Sequence, residues 1–294
     1  CVSRACCRVL SSVLMEEKLV SETAIVLDFA DERCLEVELS GGKGASLSLM
    51  TRGGLPVPPG FVVTSSVFAE AIDGKQLLRC LKDQNLEGAR AVVARCEPPR
   101  EAVKAAYDQL PQGVSVAVRS SACAEDGSNA SFAGQQETYL FVQTFELVLE
   151  KIVECWISFF SDRALFYRQH KGDLSDIQMA VVVQQMVDAE TAGVMFTVDP
   201  VNHRKDRVVI EAACGIGENV VSGEFTPDYY TLDRKGVLKK ARIVDKQVLT
   251  ASELAELVKV GLHLEDLNNC PQDIEWAYDS TGLHMLQSRP ITTL

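Results

Sequence analysis

Three arrangements in this chain could do chemistry on a phosphorylated ligand. The first is Lys43, inside Ser40-Gly-Gly-Lys-Gly-Ala45, where turn N–H groups and an ammonium can meet an anion. The second is Arg119, which follows the apolar run Val114-Ser-Val-Ala-Val118 and precedes Ser120-Ser121. An arginine ending a strand can offer its fork to a phosphate, or it can simply pair with Glu125 or Asp126. The third is Glu275 with Gln287, two oxygen donors on strands separated by one turn, with Arg289 two residues further along the same face. Magnesium carrying phosphates takes few protein ligands, and such a pair suits it. A solvent-facing polar row on an edge hairpin fits the same residues.

Ser131-Phe-Ala-Gly134-Gln-Gln-Glu-Thr138 is small and polar, suited to a loop folding over a ligand or to an ordinary hairpin connection. Two common phosphate motifs are excluded. A P-loop needs glycine at position 37 and Ser or Thr after Lys43, but these positions hold Val37 and Gly44. Gly215-Ile-Gly217 begins a dinucleotide fingerprint, but Val220 stands where its last glycine belongs.

The elements that must carry these groups alternate between strands and helices. Apolar patterning predicts strands at 24–29, 61–63, 114–118, 208–213, 273–278 and 284–287. The glycine turn at 40–45 leads into a helix over 45–50, and 66–110 reads as helical with a break at Pro98-Pro99. Apolar residues from Phe145 to about His170 mark one long amphipathic helix. The runs 181–187 and 193–198 read as a hairpin around Asp188-Ala-Glu-Thr191, and Thr250-Ala-Ser-Glu253 as a capping box opening a helix to about Gly261. Hairpins mixed with helices point to α+β with antiparallel sheets.

At 294 residues the chain is long enough for one large domain or two lobes. A net charge of −12 makes its surface a poor match for nucleic acid or anionic membrane, while leaving room for a local basic cleft. No apolar run reaches a bilayer's thickness. The ten cysteines form no C-x-x-C pair, and none lies at zinc-like spacing from His170, His203, His263 or His284. Several, including Cys155 and Cys214, lie in apolar stretches, so a reducing, cytoplasmic setting is expected. The chain opens on Cys1 rather than Met, as a processed product or a fragment would, and residues 1–22 show no signal-peptide layout.

Taken in order, these segments resemble a family. Gly-Gly-Lys-Gly-Ala-Ser (41–46), Val-Pro-Pro-Gly-Phe (57–61), Ala-Val-Arg-Ser-Ser-Ala (117–122) and Ala-Ser-Phe-Ala-Gly-Gln-Gln-Glu-Thr-Tyr (130–139) open the series. Asp-Arg-Ala-Leu-Phe-Tyr-Arg (162–168), Gly-Val-Met-Phe-Thr-Val-Asp-Pro (193–200) and Gly-Ile-Gly-Glu-Asn-Val-Val-Ser-Gly (215–223) continue it. Pro-Gln-Asp-Ile-Glu-Trp-Ala (271–277) and Leu-Gln-Ser-Arg-Pro-Ile-Thr (286–292) close it. From about residue 24 onward the chain resembles the nucleotide-binding domain of the phosphoenolpyruvate synthase, pyruvate phosphate dikinase and rifampicin phosphotransferase superfamily.

The resemblance implies an ATP-grasp fold, with antiparallel and mixed sheets in two lobes enclosing ATP. The lobes would be 23–187 and 188–294, with 1–22 an extension of unknown role. By the same resemblance Lys43 and Arg119 bind phosphate, and Gly134 and Thr138 belong to the closing loop. Gln185 sits in the hinge near the adenine, Glu275 and Gln287 hold Mg²⁺, and Arg289 contacts phosphate. Arg163 is a weaker candidate, equally readable as a helix-surface arginine. Cys123 stands where the family has Thr, and 66–110 is short beside relatives.

In the family reaction ATP phosphorylates a histidine on a swivelling domain and releases AMP. A third domain passes the phosphoryl group to pyruvate or to a small-molecule hydroxyl such as that of rifampicin. None of the four histidines here has the family's phosphoacceptor context, so that histidine and the acceptor site are expected on separate domains. His284, on an apolar strand, reads as structural. A stand-alone nucleotide-binding regulatory module and a glucan-phosphorylating dikinase are the competing readings, the latter ranked low.

Overall fold

The computed structural model describes residues 25–122, 137–160, 178–215 and 226–291. The expectations for 1–22, for Gly134 and its loop, for Cys123 and for Arg163 fall outside these residues.

Two antiparallel sheets dominate the described chain. The first has strand order β1 (Val26–Asp28), β2 (Gly60–Val63), β5 (Met179–Gln185), β3 (Val116–Ala122), β4 (Thr138–Val142). The second has order β11 (Gly282–Pro290), β10 (Gln272–Asp279), β6 (Thr191–Phe196), β7 (Arg207–Cys214), β8 (Asp228–Asp233), β9 (Leu238–Arg242). Helix α1 (Val37–Arg52) follows a short 3-10 turn (Glu32–Leu35). Then come α2 (Ser65–Ala71), α3 (Gly74–Lys82), α4 (Leu86–Val93), α5 (Arg100–Tyr107), α6 (Phe145–Ser158) and α7 (Ala251–Asn268). The α+β class expected from the patterning is what the structure has.

Alternation along β3 divides the first sheet into two faces. Val116 and Val118 point with Phe61, Val63, Val181 and Val183 into a core shared with α2–α6. Arg119 pairs with Val182, whose side chain belongs to the other core, with Leu47 and Met50 of α1 and apolar residues of the second sheet. The same two-residue period that buries the valines therefore turns Arg119 toward the second sheet.

Several expectations are corrected. The runs 181–187 and 193–198 are not a hairpin: β5 pairs with β2 and β3, and β6 with β7 and β10. β5 is buried on both faces and needs a neighbour on each side, so the chain crosses from one sheet to the other at this point. Strand β3 continues past Arg119, because Ser120 and Ser121 are buried with backbone partners: Ser121 Oγ donates to Ser40 O at 2.8 Å.

The glycine turn at 40–45 is a kink inside α1, with φ 68° at Gly41. Of the helix expected from Phe145 to about His170, α6 ends at Ser158, where Phe159 and Phe160 turn onto the Phe68 ring, and 161–170 lies outside the described residues. The capping box at Thr250 is present, but its helix runs to Asn268. Gly261 does not stop it; a Cβ there would lie 2.4 Å from Met195 Cε, so the glycine admits close packing against the sheet. Strands β4, β8 and β9 carried no clear apolar signal in the sequence. Cys214 is exposed rather than buried, while Cys155 is buried as expected.

Candidate functional site

Four elements, α1, β3, β10 and β11, converge where the two sheets face each other. Gly41 makes the approach of α1 to β3 possible. A Cβ at Gly41 would stand 2.3 Å from Ser121 O, and its positive φ independently favours glycine. With the backbones this close, Gly44 N donates to Ser121 Oγ at 3.2 Å and Lys43 Nζ donates to Ser120 O at 2.8 Å. Lys43 is buried, its ammonium held against the strand that carries Arg119.

Arg119 spans the gap between the sheets. One guanidinium nitrogen donates to Leu286 O at 3.2 Å. The other donates to Gln287 Oε1 and lies 3.7 Å from Glu275 Oε2. Glu275 and Gln287 are direct cross-strand partners, so both oxygen donors stand on the face turned to Arg119. Among the described residues Arg119 Nε, which is buried, has no hydrogen-bond partner. A buried N–H without an acceptor is costly, and an anionic ligand would satisfy it.

Arg289 shares that face two residues on, beside its partner Asp273. Its Nε donates to Asp273 Oδ2 at 2.9 Å and its side chain is 55% exposed, so it sits at the rim. Thr138 is the cross-strand partner of Arg119 and is also exposed. Gln185 ends β5, where its N–H donates to Pro59 O at 2.9 Å. The register aligns Gln185 with Val116 and Gln184 with Ala117, so the Gln184 side chain shares Arg119's face and that of Gln185 does not. The structure thus brings Lys43, Arg119, Thr138, Glu275, Gln287 and Arg289 together, with Gln185 at the crossing between the sheets.

Two carboxylates here were not singled out from the sequence. Asp273 is the anchor of Arg289, and its place in Gln-Asp-Ile-Glu, two residues before Glu275, was the available signal. Glu211 lies on the same sheet face, cross-strand from Val194. Burial pushes its carboxyl above the usual range, against the pull of Arg242. Nothing in the apolar run around Glu211 marked it before the register was known.

His284, His263 and Cys34 make structural contacts. His284 Nε2 lies 3.0 Å from Asp279 Oδ1 and 3.1 Å from Thr281 Oγ1 in the closing hairpin. His263 Nε2 meets Gly53 O at 3.3 Å. Burial pushes the Cys34 thiol up to about 12, which keeps it protonated. Among the described residues no group of three or more His, Cys, Asp or Glu side chains could hold a metal ion. No helix among them is long and apolar enough to cross a membrane.

Comparison with known proteins identifies the family. The pyruvate phosphate dikinase AMP/ATP-binding domain matches residues 37–248 and 234–294. The chain is 41% identical to a probable phosphoenolpyruvate synthase of Methanocaldococcus jannaschii, over 88% of this chain and 26% of that protein. It is 38% identical to the phosphoenolpyruvate synthase of Pyrococcus furiosus, over 88% of this chain and 42% of that protein. With the rifampicin phosphotransferase of Bacillus subtilis it shares 33% identity, over 92% of this chain and 36% of that protein. The chain therefore spans less than half the length of these relatives. The chain belongs to the family of the pyruvate phosphate dikinase AMP/ATP-binding domain.

Proposed function

We propose that the chain binds Mg·ATP between its two sheets and serves as the ATP-binding part of a dikinase-type phosphotransferase. In this reading residues 23–187 and 188–294 are the two lobes of an ATP-grasp arrangement. ATP is converted to AMP and phosphate. The retained phosphoryl group passes to a histidine on a separate swivelling domain, then to pyruvate or a small-molecule hydroxyl. The observation that carries the reading is the convergence of buried Arg119 on Glu275 and Gln287.

Lys43, Arg119 and Arg289 supply positive charge to the phosphates; the first two are buried and Arg289 stands at the rim. Such preorganised charge does most of the work in phosphoryl transfer, where the protein contributes chiefly positioning. Glu275 and Gln287 are a hard oxygen pair and fit Mg²⁺, which they would hold in place of their contacts with Arg119. Bound there, the ion would neutralise phosphate charge as transfer proceeds. Thr138 and Gly134 belong to the segment that closes over the phosphates, and Gln185 marks the adenine end. The six free cysteines among the described residues support a reducing, cytoplasmic setting, and the −12 charge argues against nucleic acid as a partner.

Thermal denaturation with and without Mg·ATP tests the proposal. A ligand that binds only the folded state adds about 2.7 kcal/mol at a hundred times its Kd, which raises Tm by several degrees. Lys43→Ala should remove most of that rise. No rise at millimolar Mg·ATP would sink the assignment.

A further inference from the structure

The cross-strand register lines up Gln287, Glu275, Val194, Glu211, Tyr229 and Arg242 in one row on one sheet face. Arg119 meets the Gln287–Glu275 end of that row. Glu211 stands two strands away, about 10 Å at ordinary strand spacing. The apolar Val194 lies between the two carboxylates, so they do not form one metal site. Among the described residues the Glu211 carboxylate accepts no hydrogen bond, and Arg242 is the cation that acts on it.

Position narrows what Glu211 can meet. The chain crosses between the sheets just before Thr191, where Glu190 N donates to Tyr278 O at 2.9 Å. The proposed adenine end lies at that crossing, three residues along β6 from Val194. The nucleoside therefore extends along the strands, and Glu211 flanks the phosphates from the side. A carboxylate beside phosphates is repelled unless a cation or a proton-bearing group stands between them, and Val194 keeps Glu211 apart from the proposed ion site.

We propose that Glu211 receives the phosphoryl acceptor. It accepts a hydrogen bond from the N–H of an incoming imidazole and so turns the other ring nitrogen, with its lone pair, toward the phosphorus. The proposal rests on the reading above, in which a histidine is the first acceptor. Fixing one ring nitrogen as donor fixes the other as nucleophile. That nitrogen forms the P–N bond while the P–O bond to the departing phosphate oxygen breaks. The electron pair leaves on that oxygen beside Lys43 and Arg119, and the ring N–H proton passes to the Glu211 carboxylate. Burial favours the neutral carboxyl that results.

The test supplies free imidazole as acceptor to this chain with saturating Mg·ATP and follows release of the nucleotide product. The comparison base is 1-methylimidazole, which keeps a lone pair but has no N–H. Wild type should turn over at least tenfold faster with imidazole, and Glu211→Leu should lose that preference. If Glu211→Leu does not fold, Glu211→Gln, near in shape but unable to take the proton, carries the comparison. The Mg·ATP thermal shift is read on every protein. The proposal is overturned if the variant keeps the preference or wild type has none. It is overturned equally by a chain that Mg·ATP stabilises but that transfers to neither base. If Mg·ATP does not stabilise wild type, the nucleotide reading falls first, and this one with it.

Discussion

The Arg119 guanidinium donates to the Gln287 side-chain oxygen across 168 positions of sequence, joining the first sheet to the second. With Glu275 at 3.7 Å, the residues assigned to phosphate and to metal contact one another. Ligand binding in this reading exchanges these contacts for contacts with the nucleotide and its ion.

Arg119→Lys should therefore weaken Mg·ATP binding at least tenfold by titration calorimetry. A lysine keeps the charge but cannot reach Leu286 O, Gln287 and a phosphate together through a planar fork. Wild-type affinity in this variant would show that charge alone suffices.

Gly41→Ala should destabilise the chain by about 2 kcal/mol or more in urea unfolding, since it combines overpacking with a positive φ. The Mg·ATP thermal shift should shrink as well, because Lys43 depends on the same close approach. A stable variant with full nucleotide response would mean that α1 can move away from β3 at no cost to the site.

Thr250→Ala removes the hydroxyl that accepts from Glu253 N and should cost about 1 kcal/mol. Because this cap lies at the start of α7, nucleotide binding by the folded fraction should not change. Equilibrium unfolding and calorimetry on the same variant separate the two effects.

Asp279 predicts an acid-sensitive contribution. Burial is the largest single influence and pushes its carboxyl up, but hydrogen bonds from Thr281 and His284 outweigh it and bring the pKa to about 2. A carboxyl lowered from 3.8 binds protons more weakly folded than unfolded, so it stabilises the fold above pH 4. That contribution drains away as pH falls from about 4 to 2. Asp279→Asn should be less stable than wild type at pH 6, and the gap should close toward pH 2; a gap constant with pH would refute the linkage.

Much of this protein was legible in the residues themselves. Short apolar runs marked β2, β7, β10 and β11, since buried strand residues leave that trace in sequence. The capping box at Thr250 was readable because its hydrogen bonds span only three residues. Motif order pointed to the family and to Lys43, Arg119, Glu275, Gln287 and Arg289 before any geometry was known.

Tertiary structure decided what local pattern leaves open. Nothing within 181–198 tells a hairpin from a crossing between sheets, because either connects two apolar strands by a short polar turn; the partners on each side settle it. Gly41 and Gly261 look alike as helix breakers, yet each is required by an atom that comes from far along the chain. The sequence puts Arg119 on a strand without saying what it faces. Its place opposite Glu275 follows from sheet register, and register is set by how the two cores close, which no short stretch of sequence contains.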